Sequence, residues 1–505
     1  MKIKNILYIV MLAVIASAFT GCDDFLSPKP KTVVNNDNCY NDESEVETFV
    51  NGMHTLFRDN YGSVVYLYRD RGMPFDFMSA TWSKPSNNTP TWAANHICLQ
   101  WLDIYMVITD AQLLLENLGR ADLPEDRYKF YAGQAYCILG YCYFDLIRCW
   151  GDAPFPEHSE DYRPMERTPW RTLVDYAAGY YDKAIEYLPV ASELKDSQGK
   201  SITSKQVPSK GAAQMGKAHL LAWTAGVNNE PELYREVDKL IGEIISSHEY
   251  ELARDMKEVC EVVMLGNSRE GIWEIDFQNK YNETVSIGSF IAGACQTWPA
   301  EYPKTTPNTK RRMLRINNAT VYALYPDETD ERRQEYFYKL DSMAKVSTST
   351  TQGAAYINKW RAVIKYTDGP KEGEAKAYDD NVILFRYADA LLLGAEAKAN
   401  LGDETGATAL LNEVRRRAKA KEYDASEGDL KYAIFHERER ELFLENGHRF
   451  FDAIRCHFVK EALQPGFQNL TETDIRNGAY YLPISINEIQ KNTLARQTIY
   501  WQNQY

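Results

Sequence analysis

Beyond its first twenty-two residues, the 505-residue sequence contains no apolar run approaching the 18 residues that a membrane helix needs, which predicts a body outside the bilayer. No two of its nine cysteines form a CxxC pair, so a structural zinc site of the finger or ribbon kind is excluded. Basic excess is missing as well. Lys and Arg number 57 against 71 Asp and Glu, and the net charge of −14 argues against nucleic acid as a partner. There is no GxSxG, no phosphate-binding P-loop and no glycine-rich dinucleotide fingerprint. No EF-hand-type loop marks a calcium site. Glycosidase chemistry would need two carboxylates facing each other across a cleft, and no motif singles out such a pair. The sequence therefore predicts a protein that binds and does not catalyse, with no cofactor and no metal. Hydrophobic residues at 44% and charged residues at 25% exclude wholesale disorder.

Aromatic residues, by contrast, are plentiful: 34 tyrosines and 10 tryptophans. Tyrosine pairs an apolar body with a polar tip, so the surplus serves either helix packing or ligand contact. The N-terminus carries a second signal. Lys2 and Lys4 precede an uncharged apolar run from Ile6 to Phe19, the length of a secretory h-region and short for a membrane span. Thr20, Gly21 and Cys22 follow, and this resembles a bacterial lipobox, with Phe19 where Leu is usual. The expectation is a signal peptide over 1–21, lipid attachment at Cys22 and a tether over 22–41. The plainer alternatives are an ordinary signal peptide, or a membrane helix with an incidental cysteine. Removing residues 1–21 takes away two lysines and no acids, so the net charge moves from −14 to −16. Cys137, Cys142 and Cys149 share one predicted helix at spacings unsuited to bridging, and buried thiols are expected there although export permits disulfides.

From Glu45 to about Met264 the pattern is helical periodicity broken by polar turns. The segment 101–118 carries Ile104, Val107, Ile108, Leu114 and Leu115 at helical spacing. The segment 128–150 mixes Gly133, Ala135 and Gly140 with Tyr136 and Tyr143, a small-beside-large pattern that lets helices approach closely. Leu139-Gly140-x-x-Tyr143, and then Ala177-x3-Tyr181-x2-Ala184 before Pro189, resemble the two helices of a tetratricopeptide repeat, separated by an insertion from Gly151 to Pro169. Residues 211–227 with 232–247, and 386–400 with 406–420, form two further helix pairs. Between Gly266 and Asp380 the texture turns to Gly, Pro, Asn and Thr, with strand-like runs such as 271–277. This predicts a loop-rich stretch without helices. The organisation expected is an N-terminal helical region over 42–265 and a C-terminal region over 266–505 with the loop-rich insertion 266–380. The fold class is mainly α, a helical-repeat scaffold.

Specific motifs sharpen this. Phe385-Arg-Tyr-Ala-Asp-Ala-Leu-Leu-Leu-Gly-Ala-Glu-Ala397 is followed by Leu411-Asn-Glu-Val-Arg-Arg-Arg-Ala418. Glu437-Arg-Glu-Arg-Glu-Leu442 comes next, with Glu445-Asn-Gly-His-Arg-Phe-Phe-Asp452, Tyr481-Leu-Pro-Ile484 and Asn487-Glu-Ile489 after it. In the N-terminal half, Trp101-x3-Tyr105, Trp150-Gly-Asp-Ala-Pro154 and Tyr187-Leu-Pro189 join them. This ordered set resembles the SusD/RagB family of surface lipoproteins. Asp110 and Cys456 depart from it, standing where Asn and an aromatic or aliphatic residue are expected. The resemblance implies four tetratricopeptide-like helix pairs supporting a variable, loop-rich face. It also implies nutrient capture at the outer membrane, facing the cell exterior, for a SusC-like TonB-dependent transporter. The implied ligand is an oligosaccharide or glycan. Peptide capture, as in RagB-like import, is the runner-up, and a helical-repeat adaptor without ligand is the rival from another class.

The cluster His436-Glu437-Arg438-Glu439-Arg440-Glu441 lacks the second His at i+4 that a zinc protease requires, and alternating charge predicts an ion-paired helix face instead. Arg415, Arg416 and Arg417, near a helix C-terminus, are expected to complement its dipole and pair with acids. Sugar rings stack their C–H faces on aromatic planes while amides and carboxylates satisfy their hydroxyls. Two loop segments hold that mixture, and they supply the candidate ligand residues: Asp76, Trp82, Trp92 and Asn95 in the first, Trp298 and Tyr302 in the second. Trp101, Trp150, Trp223 and Trp360 sit in apolar contexts and are expected in the core.

Overall fold

A computed structural model describes residues 40–62, 71, 77–78, 99–277, 314–351, 353–445 and 447–502. Among the described residues, the N-terminal half is built mainly from the helices α1 Glu43–Tyr61, α2 Leu102–Asn117, α3 Glu125–Trp150, α4 Trp170–Tyr187, α5 Lys210–Asn228 and α6 Tyr234–Ser246. Local chemistry sets their ends. The Asp42 side chain caps α1 by accepting from Glu45 N at 2.9 Å. Glu125 and Asp126 occupy the first turn of α3 and Arg148 its last, in the sense that complements the helix dipole. Gly151, at φ +73°, then turns the chain out of α3. From Phe130 to Trp150 every residue but Tyr136 is buried, so α3 is the central helix of this half.

The C-terminal half adds α7 Tyr387–Asn400, α8 Glu404–Arg417, α9 Leu430–Glu441 and α10 His448–Arg455. Four pairs follow along the chain: α1 on α2, α3 on α4, α5 on α6 and α7 on α8, with α6 also packed on α7. Small residues set the close approaches. A Cβ at Gly394 of α7 would meet Ile241 of α6 at 2.9 Å, and one at Gly133 of α3 would meet Leu188 at 2.8 Å. The fold is mainly helical, a scaffold of helix pairs as expected.

Among the described residues seven short strands complete it: β1 Phe77–Met78, β2 Gly271–Ile275, β3 Leu314–Asn317, β4 Ala354–Ala355, β5 Val363–Lys365, β6 Ala375–Tyr378 and β7 Val382–Arg386. β2 pairs antiparallel with β7, Gly271 opposite Arg386 and Glu274 opposite Ile383. β3 lies between β1 and β4, and β5 pairs with β6. The strand expected over 271–277 is present. Within 266–380, however, short helices also occur, among them Asn318–Leu324, Arg332–Glu335 and Leu340–Met343. Elements of four to seven residues are too short to show a helical period, which explains the difference from the helix-free reading.

One hydrophobic core runs from Tyr40 to Ala495 and draws on both halves. Trp101, Trp150, Trp223 and Trp360 are all buried in it, as are Cys137, Cys142 and Cys149. Among the described residues no helix is long and apolar enough to cross a membrane.

The charged cluster on α9 is ion-paired, but it faces inward. Glu437 meets Arg332 at 2.6 Å and Arg415 at 3.0 Å, and Arg438 meets Asp389 at 2.8 Å and Asp452 at 2.7 Å. Arg417 pairs with Glu270 at 2.9 Å and with Glu441, while exposed Arg416 pairs with Glu422 at 3.2 Å. Burial opposes ionisation of Glu439, yet Arg449 and His436 outweigh it and hold its carboxyl at about 2.

Candidate functional site

Trp101 and residues Leu102, Tyr105, Met106, Thr109 and Asp110 recur at helical spacing and form one stripe along the start of α2. Facing that stripe are the 151–169 connection between α3 and α4 and the short C-terminal helix Ile486–Lys491. Together they enclose a cavity of about 430 Å³.

The connection is strapped along α2 at three points. Tyr105 Oη donates to the Pro154 carbonyl at 2.6 Å, Gln112 Nε2 donates to the Pro156 carbonyl at 2.7 Å, and the Ser159 backbone N–H donates to Glu116 Oε1 at 3.0 Å. At its far end Asn492 clamps Met165, accepting its N–H at 3.0 Å and donating to its carbonyl at 2.9 Å. The Trp101 ring stands edge-on to Tyr105, with centroids 6.0 Å apart, and its other neighbour is Trp150 at 6.1 Å.

The mouth is open and partly apolar: Tyr162 is 80% exposed and Met106 45%. Exposed apolar surface at a concave site marks a place where something binds. Polar groups are set around it. Asp161 pairs with Arg163 at 2.8 Å, and burial raises the carboxyl of Asp110. Burial also raises Glu488, against hydrogen bonds from the Trp101 indole N–H and the Leu102 backbone N–H. Aromatic faces beside carboxylates, a guanidinium and an amide can stack a ring and satisfy its hydroxyls.

The residues expected from sequence at the ligand site, Asp76, Trp82, Trp92, Asn95, Trp298 and Tyr302, lie outside the described residues, as does Cys22. The cavity residues Tyr105, Met106, Asp110, Tyr162, Arg163 and Glu488 escaped sequence reasoning as ligand candidates. Two signals pointed toward them: the 151–169 insertion between repeat-like helices, and the Asp110 departure.

Among the described residues His219, Asp389 and His448 lie close enough to suggest a metal site. Their hydrogen bonds speak for another role. Arg438 donates to Asp389 Oδ1 at 2.8 Å and approaches His448 Nδ1 at 3.4 Å, so that ring nitrogen is an acceptor and the proton sits on Nε2, toward Asp389. His219 Nε2 meets Asp389 Oδ2 at 2.8 Å. Burial lowers both histidines, while His219 and Arg438 hold the Asp389 carboxyl well below the usual carboxylate range despite its own burial. With Arg438, the group is a satisfied polar knot joining α5, α7, α9 and α10.

Comparison with known proteins places this architecture. Residues 317–501 match the model of the SusD family, and residues 24–213 match that of a family described as starch-binding, associating with outer membrane. SusD-like protein P25 from Formosa agariphila is 26% identical over the full length of both chains. SusD-like protein P38 from the same organism is 24% identical, covering 92% of this chain and 94% of its own. The crystal structure of a SusD homolog from Bacteroides thetaiotaomicron is 25% identical and superposes with a TM-score of 0.75, covering 91% of this chain and 98% of that one. Proteins of this kind are nutrient-binding proteins of the outer membrane that work with SusC-type transporters. On motifs, fold and these matches, the chain belongs to the SusD/RagB family.

Proposed function

We propose that this protein is a lipid-anchored outer-membrane binding protein, held by Cys22 and facing the cell exterior. It captures an oligosaccharide in the α2 cavity and delivers it to a SusC-like TonB-dependent transporter. The role is binding, with no chemical step assigned. The observation that carries the reading is the cavity itself, where an exposed tyrosine, Tyr162, stands over a helix stripe bearing Trp101, Tyr105 and Asp110. Trp92 and Asn95 precede Trp101 by only nine and six positions, which favours one continuous ligand surface with the loop candidates.

The test is calorimetric titration of the mature chain with a panel of neutral oligosaccharides. Tyr162→Ala is expected to weaken the bound glycan by about tenfold or more with an unchanged melting temperature, because stacking on an exposed ring contributes on the order of 1–2 kcal/mol. Unchanged affinity in Tyr162→Ala, and also in Trp92→Ala combined with Trp298→Ala, overturns the site. Binding of peptides in place of glycans would transfer the reading to RagB-like import.

A further inference from the structure

A second cavity, of about 660 Å³, lies across the 164–167 segment from the first: Pro164 and Met165 line one, Glu166 and Arg167 the other. Arg167, Arg171, Arg476 and Arg496 line it with Asp152 and Glu166; Arg171 also meets Asp175 at 3.0 Å and Glu230 at 3.4 Å, and Arg476 lies 3.9 Å from Glu472. The state of two of these guanidinium groups is distinctive. Arg167 is spent on backbone carbonyls, donating to Asp152 O at 2.7 Å, Trp150 O at 2.6 Å and Arg496 O at 2.8 Å. Arg496 likewise donates to the carbonyls of Thr493 and Ala495, the latter at 3.0 Å. Neither meets a carboxylate, whereas Arg332, Arg386, Arg438 and Arg455, buried elsewhere, each meet at least one. Carbonyl dipoles position a guanidinium without forming an ion pair, so Arg167 and Arg496 keep charge for an anion, with Asp152 the acid that acts on Arg167 from the same wall.

Two further features suit the same ligand, beside an α4 start where Asp152 Oδ1 already accepts the Trp170 N–H at 2.8 Å. The Trp170 side chain offers an aromatic surface beside the guanidinium groups. Thr498 Oγ1, on the same wall, is buried without a hydrogen-bond partner.

We infer that this cavity is an oxyanion site that takes the carboxylate or sulfate ester of an acidic oligosaccharide. Arg476 and Arg496 supply accessible donors, Arg167 the fixed charge, and Trp170 a face for the sugar ring. The choice of a sugar as carrier of the oxyanion rests on the glycan reading above, while the cavity is separate from the α2 site.

The experiment titrates the full mature chain with trigalacturonate, a sulfated galactan tetrasaccharide and neutral galactotetraose, at low and at 300 mM NaCl. At least one acidic probe is expected to bind ten times more tightly than the neutral sugar, and to weaken severalfold at high salt. Which acidic probe binds identifies the carboxylate or the sulfate as the source. Arg476→Gln combined with Arg496→Gln, both exposed positions, should reduce acidic binding tenfold and leave neutral binding unchanged. Tyr162→Ala should do the reverse, so failure of one site is read independently of the other. Equal affinity for acidic and neutral probes, or unaltered acidic binding in the double arginine variant, overturns the proposal.

Discussion

The ring of Tyr181 on α4 sits between Gly140 of α3 and Gly216 of α5, so near that a Cβ at Gly216 would come within 2.4 Å of it and one at Gly140 within 2.9 Å. Three helices from successive repeat pairs are therefore registered on one tyrosine, which fits because both glycines lack a side chain. Gly216→Ala is expected to destabilise the protein by about 1–3 kcal/mol through overpacking. Gly179→Ala, on α4 with nothing within 4 Å, should be neutral or stabilise by up to about 1 kcal/mol through helix propensity. Urea unfolding of the two variants side by side checks the contrast, and equal stabilities would refute it.

The hydroxyl of Tyr181 is buried with no hydrogen-bond partner. Removing an unsatisfied buried polar atom while keeping the ring loses no bond and relieves a desolvation cost. Tyr181→Phe should leave stability unchanged or raise it by about 1 kcal/mol, against a loss of about 3–5 kcal/mol for Tyr181→Ala. A clear loss in Tyr181→Phe, measured by thermal melting, would contradict this account.

Arg386 bridges Glu441 at 2.7 Å, Glu270 at 2.5 Å and Glu445 at 2.8 Å in a fully buried network. Arg386→Leu strands these carboxylates in the core and is expected to cost about 3–5 kcal/mol, enough to lower soluble yield. Arg416→Ala, on an exposed pair, should change stability by less than about 1 kcal/mol. Chemical denaturation separates the two cases, and a mild Arg386→Leu would show that the network relaxes or admits water.

Glu274 supplies a pH prediction. Burial pushes its carboxyl up to about 7, against hydrogen bonds from Asn381 Nδ2 and Asn267 N, both at 2.8 Å. The native state thus holds a proton that the unfolded chain loses near pH 4.5. The resulting stability is fully present below pH 4.5 and is lost as pH rises through about 7, a span on the order of 3 kcal/mol. Glu274→Gln stays neutral and should flatten that decline, so that its stability relative to the unsubstituted protein grows between pH 5 and 8. Asp380, pushed up to about 8 by burial, acts in the same direction in both proteins and cancels from the comparison. Parallel pH profiles would exclude a protonated Glu274.

The tyrosine surplus shows what was legible in advance. Tyr131, Tyr141, Tyr143 and Tyr181 are buried, and Tyr136 and Tyr180 stack with centroids 6.1 Å apart, so the excess reports helix packing. Helical periodicity exposed the long elements because burying one face repeats every three to four residues. The first pair, α1 with α2, was hidden as a pair because 40 residues of chain separate its helices. The inward turn of the α9 charges was equally hidden. Alternating Glu and Arg look alike on a solvated face and in a core, and the difference lies in Arg332, Arg386 and Arg417 arriving from distant segments.

From the sequence alone came the fold class, the repeat-like helix pairs, the family resemblance and the expectation of an export signal with its cysteine, because each is read from contiguous residues. Tertiary structure alone decided the α2 cavity, the arginine-lined cavity beside it and the buried charge network. Each of these brings together the 151–171 connection, the C-terminal segment or separate helices across hundreds of positions. Periodicity describes how one element buries its own face, whereas a cavity is the space left between elements, and no single stretch of chain carries its shape.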